Sequence, residues 1–138
     1  MPYPEYLVAP MRQELVAVGA RECRTATDVD DVIKQPGTTM MVVNSVCGCA
    51  AGKARPGIAM ALQHEVRPKN VATVFAGADI EATDRARQLM TGFAPSSPSI
   101  ALFQEGKLVY MIERRDIEQR TAEGIADLLT LAFDKYCA

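Results

Sequence analysis

Two cysteines separated by one glycine, Cys47-Gly48-Cys49, are the residues of this sequence best suited to chemistry. An apolar, β-branched run ends just before them at Val46, and alanine-rich sequence that favours a helix begins at Ala50. This pattern predicts a buried strand that delivers both cysteines to the start of a helix. The unpaired N–H groups and positive dipole end of a helix favour a thiolate, which is the form that attacks disulfides. Gly48 is expected to let the backbone turn between the sulfurs without a Cβ penalty.

The cysteine spacing also permits a bridge between Cys47 and Cys49. Residues two apart in sequence have Cα atoms about 5.5–7 Å apart, whereas disulfides usually span ~4.4–6.8 Å. A bridge here is expected to be strained, and strain raises the reduction potential of a disulfide. We therefore predict a labile, exchange-active pair rather than a structural cross-link.

Three other interpretations of the cysteine pair compete with this one. Two buried structural thiols are disfavoured, because a helix start that follows a strand is exposed. A zinc or iron–sulfur half-site is the alternative hypothesis; the other candidate ligands, Cys23, Cys137 and His64, have no neighbour at metal-ligand spacing, so we assign no metal ligand. A non-catalytic redox sensor uses the same activated thiol and stays open as a third hypothesis.

Length and composition limit the class of protein. A chain of 138 residues predicts a single domain, 1–138, with room for a real core. The net charge of −2 and the scattered basic residues predict no nucleic-acid partner, and the pair Arg114-Arg115 is expected to lie on a solvated surface. The first residues carry no basic region and no long apolar run, so we expect no signal peptide, no membrane partner and a cytoplasmic location. Four cysteines in such a protein favour free, reactive or metal-bound thiols.

The elements around the cysteines alternate between helix and strand. Apolar spacing and breaker residues predict, in order, helix 10–22, helix 27–35, strand 39–46, helix 50–65, strand 70–77 and helix 79–90. We expect Pro10 in the first turn of the first helix, Thr27 at the cap of the second, and a kink or restart at Pro56. The strand at 39–46 is apolar on both faces, which is typical of a central strand covered by helices on both sides. This order predicts a parallel α/β layer.

The second half of the chain predicts a hairpin followed by a helix. Pro98 directly precedes a hydrophobic strand, a position typical of tight turns and sometimes of cis peptides. A turn at 104–107 joins that strand to a partner at 108–113, and strands this close in sequence pair antiparallel. Thr121 can cap a last helix that runs through about Tyr136 and carries a continuous apolar stripe.

The remaining cysteines and the single histidine receive no firm role. Cys23 is expected to pack in the interior, and His64 to lie on the surface. Cys137 is expected to be mobile and exposed near the end of the chain, where it either resolves a mixed disulfide or has no role.

This order of elements resembles the thioredoxin fold, an α/β fold with a central mixed sheet flanked by helices on both faces. Pro56 matches the kinking proline of the active-site helix in that fold. The run from Ser97 through Phe103, with Gly106-Lys107, resembles the segment that begins with the cis-proline. The resemblance implies that Pro98 is cis and faces the cysteines, and that the backbone just before it receives substrate.

A narrower resemblance covers nearly the whole chain. The block from Val43 to Pro56 is similar to the active-site block of the bacilliredoxins, and so are Met11 to Leu15 near the start and Ile112-Glu113-Arg114 through Ala122-Glu123 near the end. Bacilliredoxins are cytoplasmic proteins that remove bacillithiol from mixed disulfides on other proteins. The resemblance implies a thiol–disulfide oxidoreductase with no cofactor. Its partners would be bacillithiol or another low-molecular-weight thiol and S-thiolated client proteins.

The same resemblance implies roles for individual residues. Cys47 would attack the bacillithiol sulfur and then carry bacillithiol, and either free bacillithiol or Cys49 would resolve the adduct. Gly48, Ser97 and Pro98 would bind substrate, and disulfide isomerisation would be a related activity. The sequence departs from the thioredoxin pattern in having one residue between the cysteines, no tryptophan before Cys47 and no acidic residue in the preceding strand. These departures argue against efficient reduction of general disulfides.

Overall fold

The computed structural model describes residues 2–138, which fold into a sheet with helices on both of its faces. The strands, in chain order, are β1 (Arg21–Glu22), β2 (Thr38–Asn44), β3 (Asn70–Phe75), β4 (Ser99–Gln104) and β5 (Lys107–Ile112). The helices are α1 (Glu5–Val16), α2 (Ala26–Ile33), a π-helical segment (Ala50–Ala54), α3 (Arg55–Ala61), α4 (Ile80–Leu89), α5 (Arg114–Glu118) and α6 (Ala122–Tyr136).

The sheet is mixed, with the strand order β1-β3-β2-β4-β5. Strands β1, β3 and β2 are parallel, β4 runs antiparallel to β2, and β5 runs antiparallel to β4. All seven residues of β2 are buried, as expected of a central strand covered on both faces. The predicted mixed α/β architecture is confirmed.

Two apolar clusters hold the helices against the sheet. One joins the sheet to α1, α3, α5 and α6, with Leu15, Ile58, Ile117 and Phe133 among its fully buried side chains. The other joins the opposite face to α2 and α4 through small and β-branched residues such as Val29 and Ala82. The strands therefore supply apolar side chains to both faces, and this burial fixes the register of β2.

The strand register brings three segments to one edge of the sheet. Val43 of β2 lies opposite Ser99 of β4, and Ile100 of β4 lies opposite Ile112 of β5. The residues after Asn44, before Ser99 and after Ile112 therefore leave the sheet at the same edge. We call residues 45–49, 96–98 and 113–114 at this edge the cysteine edge.

The first helix differs from its prediction. It runs from Glu5 to Val16 rather than over 10–22, and Pro10 lies inside it instead of in its first turn. Pro10 has no N–H to donate to the carbonyl of Tyr6. Tyr6 is 84% exposed, so water can donate a hydrogen bond to that carbonyl instead. The helix ends early because Gly19 adopts a φ of 105°, which reverses the chain into β1.

Other helices and strands also differ from their predictions. Thr25, not Thr27, caps α2: its side chain accepts from the N–H of Asp28, whose carboxylate accepts from the N–H of Thr25. The two-residue β1 and the five-residue α5 were not predicted, because segments this short carry no measurable periodicity. Within residues 2–138, no helix has the length and apolarity needed to cross a membrane.

The hairpin and the last helix match their predictions. Glu105 and Gly106 both adopt positive φ, at 49° and 78°, as the tight turns that match strand twist require. The Thr121 side chain accepts from the N–H of Gly124 at the start of α6, so its predicted cap is confirmed.

Candidate functional site

The turn that carries the cysteines is held by two side chains at the end of β2. The Oδ1 atom of Asn44 accepts a hydrogen bond from the N–H of Ser45 at 2.8 Å. The hydroxyl of Ser45 in turn accepts from the N–H of Cys47 at 3.0 Å. Asn and Ser form such local turns readily, because their short side chains reach backbone groups one or two residues away. The position of Cys47 therefore follows directly from the residues that end the strand.

A buried arginine supports this turn from below. The Nη1 atom of Arg55 donates to Asn44 Oδ1 at 2.9 Å and to the carbonyl of Ser45 at 2.8 Å. Its Nε atom lies 3.2 Å from Glu14 Oε1, although the Arg55 side chain is only 3% exposed. A buried charge is tolerated only when it is paired and hydrogen-bonded, and Arg55 meets both conditions. Because Arg55 lies in α3 and Glu14 in α1, these contacts connect the turn to both helices. Sequence reasoning missed Asn44, Ser45, Arg55 and Glu14 as site residues.

The helix after the cysteines has two parts. The carbonyl of Cys47 accepts from the N–H groups of Ala50 and Ala51, at 2.9 and 3.2 Å, and a π-helical segment follows over Ala50–Ala54. The α-helical part restarts at Arg55, because Pro56 has no N–H to continue the ladder. The predicted restart at Pro56 is confirmed, but the predicted extent to residue 65 is wrong.

The two thiols lie within hydrogen-bonding distance of each other. Cys47 Sγ and Cys49 Sγ are 3.0 Å apart, and the N–H of Cys49 donates to Cys47 Sγ at 3.3 Å. Both cysteines are free and partly exposed. With Cys47 ionised, the Cys49 thiol is the donor between them, so each sulfur fixes the protonation state of the other.

This geometry shifts the two pKa values in opposite directions. The pKa of Cys47 is lowered, mainly by the hydrogen bond from the Cys49 thiol and also by the N–H of Cys49 and the charge of Arg114, while burial opposes the shift. The pKa of Cys49 is raised, first by that same hydrogen bond and then by burial. We expected activation of Cys47 by N–H groups at the start of the helix, and the N–H groups of Cys49 and Ala50 do contribute, but the largest contribution comes from the partner thiol. The arrangement therefore favours the thiolate at Cys47 and the protonated thiol at Cys49.

Gly48 lies exposed at the tip of the turn. It is not among the glycines at positive φ, and an added Cβ would meet no described atom within 4 Å beyond its chain neighbours. The expectation that this glycine is needed for the backbone to turn is therefore wrong. What the position offers is open space next to both sulfurs.

The Ser97-Pro98 segment lies at the same edge as the cysteines. The peptide bond between Ser97 and Pro98 is cis, as the resemblance implies. Pro98 is buried and Ser97 is half-buried, directly before the Ser99 that lies opposite Val43. The sheet register therefore brings this segment to the cysteine edge, although the two lie about 50 residues apart in sequence.

Arg114 lies on the solvated surface, as expected, but it also contacts the cysteine edge. Its Nη1 atom donates to the carbonyl of Ser97 at 3.3 Å, and its charge contributes to the lowered pKa of Cys47. Arg115 lies on the surface without such a contact: its side chain is 77% exposed and pairs with Glu113. The signal that separates the two arginines is the short α5 after β5, which sequence periodicity does not show.

The other cysteines lie away from the pair. Cys23 is fully buried, as expected, and burial raises its pKa to about 11. Cys137 was expected to be exposed, and this is wrong: it is half-buried beside Thr38, and burial raises its pKa. Thr38 begins β2 whereas the pair follows its end, and the strand spans about 20 Å, so Cys137 cannot reach Cys47. His64 lies at the surface, 2.8 Å from Asp134.

A metal centre is the alternative use of the cysteine pair. Among residues 2–138, no three or more His, Cys, Asp or Glu side chains are grouped so that they could hold a metal ion. A metal at this half-site would therefore need further ligands from outside the described chain, for example the same two cysteines of a second copy.

Comparison with solved structures identifies the fold class. A putative oxidoreductase described as having a thioredoxin fold superimposes with a TM-score of 0.62, covering 78% of this chain and 91% of that one, at 15% identity. A mutant thioredoxin from Halobacterium salinarum gives a TM-score of 0.59 at 16% identity, covering 88% of this chain and 93% of the other. The protein therefore has a thioredoxin fold, with a thiol pair at the edge where β2 ends.

Comparison of sequences narrows the class to a family. The family model described as "Disulphide isomerase" matches residues 3–137. A bacilliredoxin of Koribacter versatilis is 60% identical over 136 residues, which cover 98% of this chain and 94% of that protein. Bacilliredoxins of Cytophaga hutchinsonii and Staphylococcus aureus are 50% and 48% identical, covering 96% and 98% of this chain and 98% and 93% of theirs. The chain belongs to the bacilliredoxin family of thiol–disulfide oxidoreductases.

Proposed function

We propose that this protein removes bacillithiol, or another low-molecular-weight thiol, from mixed disulfides on client proteins, by way of Cys47. The observation that carries the proposal is the 3.0 Å contact between two thiols whose pKa values shift in opposite directions. A thiolate attacks a disulfide and a thiol does not, so the opposite pKa shifts support Cys47 as the attacking sulfur. Family membership supports the same reaction class.

The proposed first step is a thiol–disulfide exchange at Cys47. The Cys47 thiolate attacks the bacillithiol sulfur of the mixed disulfide and forms a new S–S bond as the old one breaks. The client sulfur leaves with the electron pair and takes a proton from solvent. Gly48 leaves room for the approaching disulfide, and the backbone at Ser97-Pro98 is the proposed surface that receives the substrate.

The proposed second step frees Cys47. Either a second bacillithiol attacks the adduct and leaves as bacillithiol disulfide, or Cys49 loses its proton and attacks Cys47 Sγ. The second route releases bacillithiol and leaves a Cys47–Cys49 disulfide, which an external thiol must then reduce. Disulfide isomerisation would use the same attack by Cys47 on a protein disulfide.

Intact-mass spectrometry with single-cysteine variants tests this scheme. The reduced protein is incubated with a bacillithiol-modified test protein, and we expect transfer of one bacillithiol mass. Cys47→Ser should abolish the transfer, and Cys49→Ser should accept bacillithiol and retain it longer. Cys137→Ser is the matched control, since this thiol lies at the other end of β2, and it should behave as the wild type. Transfer that survives in Cys47→Ser would refute the assignment of the attacking sulfur.

The same preparation separates the alternative functions. Repeated transfer with excess substrate and a thiol reductant supports an enzyme, whereas a single stoichiometric oxidation without turnover indicates a redox sensor. Stoichiometric zinc or iron in elemental analysis, lost in Cys47→Ser, would instead support a metal site shared between two chains. We expect turnover.

A further inference from the structure

Arg114 connects two parts of the cysteine edge. Its backbone N–H donates to the hydroxyl of Ser96 at 3.4 Å, and its Nη1 atom donates to the carbonyl of Ser97 at 3.3 Å. Its side chain is 45% exposed, so most donors of its fork remain open to solvent. The guanidinium is therefore held at one end by the loop before β4 while its other donors stay free for a ligand.

The hydrogen bond to Ser97 bears on which substrates can enter. The backbone before Pro98 is the proposed surface for substrate, and an extended peptide that pairs there needs the Ser97 carbonyl as an acceptor. Arg114 already donates to that acceptor. A peptide must share this acceptor with the charged guanidinium or displace it, whereas a small ligand can bind the free side of the guanidinium and leave the contact unchanged.

The charges around Arg114 leave it available to an anion. Glu118 is its nearest acid, with Oε1 3.7 Å from Nε, and both side chains are about half exposed. Exposed pairs at this distance are weak and compete poorly with a ligand carboxylate that binds both arms of the fork. Lys53 adds a second cation, whose Nζ donates to the carbonyl of Glu118 at 2.7 Å.

We propose that Arg114 is a specificity-determining residue that binds a carboxylate on the small thiol attacked by Cys47 and disfavours extended peptides at the same position. This inference rests on the exchange reaction proposed above. In that reaction the bond between the small thiol and the client breaks as the bond to Cys47 forms. The guanidinium holds the small thiol, not the client, next to the attacking sulfur. The lowered pKa of Cys47, to which the charge of Arg114 contributes, supports this placement.

A pair of alkylating reagents tests the charge preference without any thiol substrate. Iodoacetate and iodoacetamide react with the same thiolate, so the ratio of their rates at Cys47, read by peptide mass mapping, is independent of the ionised fraction. At low ionic strength Arg114→Met should lower the relative rate of iodoacetate about threefold, the effect of one unit charge in water at roughly 7 Å. Salt should shrink the difference. Arg114→Lys should keep most of it, because a charge remains.

Arg115→Met is the matched control, since its side chain is 77% exposed and pairs with Glu113. It should leave the ratio unchanged, and Glu118→Gln should raise it by freeing Arg114. An unchanged ratio in Arg114→Met, or an equal fall in Arg115→Met, overturns the proposal.

Mixed disulfides of one test protein then measure the preference in exchange. The test protein is loaded with 3-mercaptopropionate, 2-mercaptoethanol or cysteamine, which are anionic, neutral and cationic. The wild type should exchange fastest with the 3-mercaptopropionate adduct and slowest with the cysteamine adduct. Arg114→Met should exchange with all three adducts at similar rates. If none of the three exchanges, the proposed function fails while the alkylation ratio still decides the role of Arg114. Exchange without any charge order refutes the role of Arg114 alone.

Discussion

Replacement of Arg55 by methionine should destabilise the whole fold, although the residue contacts the cysteine edge at Ser45. The side chain is 3% exposed, and Nη1 donates to Asn44 Oδ1 and to the Ser45 carbonyl at 2.9 and 2.8 Å. Loss of a hydrogen bond from a charged donor destabilises by about 1.5–3 kcal/mol each. Methionine keeps part of the apolar contact, so we expect a total loss of about 3 kcal/mol.

This loss converts into a measurable melting shift. An unfolding entropy of about 2.1 cal/mol/K per residue, over 138 residues, gives roughly 290 cal/mol/K. A loss of about 3 kcal/mol therefore lowers Tm by about 10 °C. Circular dichroism melts and urea denaturation are the assays, the second giving the free energy of unfolding directly.

Two variants separate the hydrogen bonds from the charge. Glu14→Gln removes the exposed partner of Arg55 and should lower stability by less than about 1 kcal/mol, as for other surface pairs. Arg55→Lys keeps the charge but lacks the planar fork, so its loss should fall between the other two. A melting point for Arg55→Met within about 3 °C of the wild type would refute the reasoning, and so would an equal loss in Glu14→Gln.

Two further predictions concern packing and pH. Gly57→Ala should destabilise by about 1–3 kcal/mol in urea denaturation despite its better helix propensity, because the new Cβ would lie 2.8 Å from the Ala122 carbonyl and 2.9 Å from Ile125 Cγ2. Gly52→Ala, which meets no described atom within 4 Å, is the control, and equal effects would contradict this account. For Cys23, whose pKa rises from 9.0 to about 11 on burial, the thiol is favoured in the fold, so its contribution is complete below pH 9 and is lost as the pH rises to 11. The stability gap between wild type and Cys23→Ala should shrink by up to about 3 kcal/mol over that range, and a constant gap would rule this out.

The long elements and the cysteine pair were predictable from the sequence because each has a strong local signal. The apolar run of β2, the hairpin turn at Glu105-Gly106 and the stripe of α6 are patterns that burial imposes on any chain. The cis peptide before Pro98 followed from the family resemblance and not from the residues alone. The boundaries of α1 were wrong because Pro10 looked like a helix start, whereas the structure tolerates it within the helix.

The support around the cysteines was not predictable in the same way. Arg55 lies ten residues after Ser45 and Glu14 about thirty residues before it, so their contact depends on how α1 and α3 meet below the turn. Arg114 and Arg115 are adjacent and chemically identical, yet only the three-dimensional path after β5 places one of them at Ser97. Long-range contacts of polar side chains have no period, and a single sequence carries no signal for them.

The one-residue spacing between the cysteines links the two proposed steps. Because Cys49 is so close, the interaction that lowers the pKa of Cys47 is the same one that raises the pKa of Cys49. When Cys47 enters a mixed disulfide it loses its negative charge, and the hydrogen bond no longer holds the proton on Cys49. Under the proposed mechanism the second thiol is therefore protonated before the first attack and becomes easier to ionise after it. Arg55 holds the backbone of the turn that carries both cysteines. Arg114 contributes a positive charge that favours the Cys47 thiolate, and the neutral Cys49 thiol has no such charge.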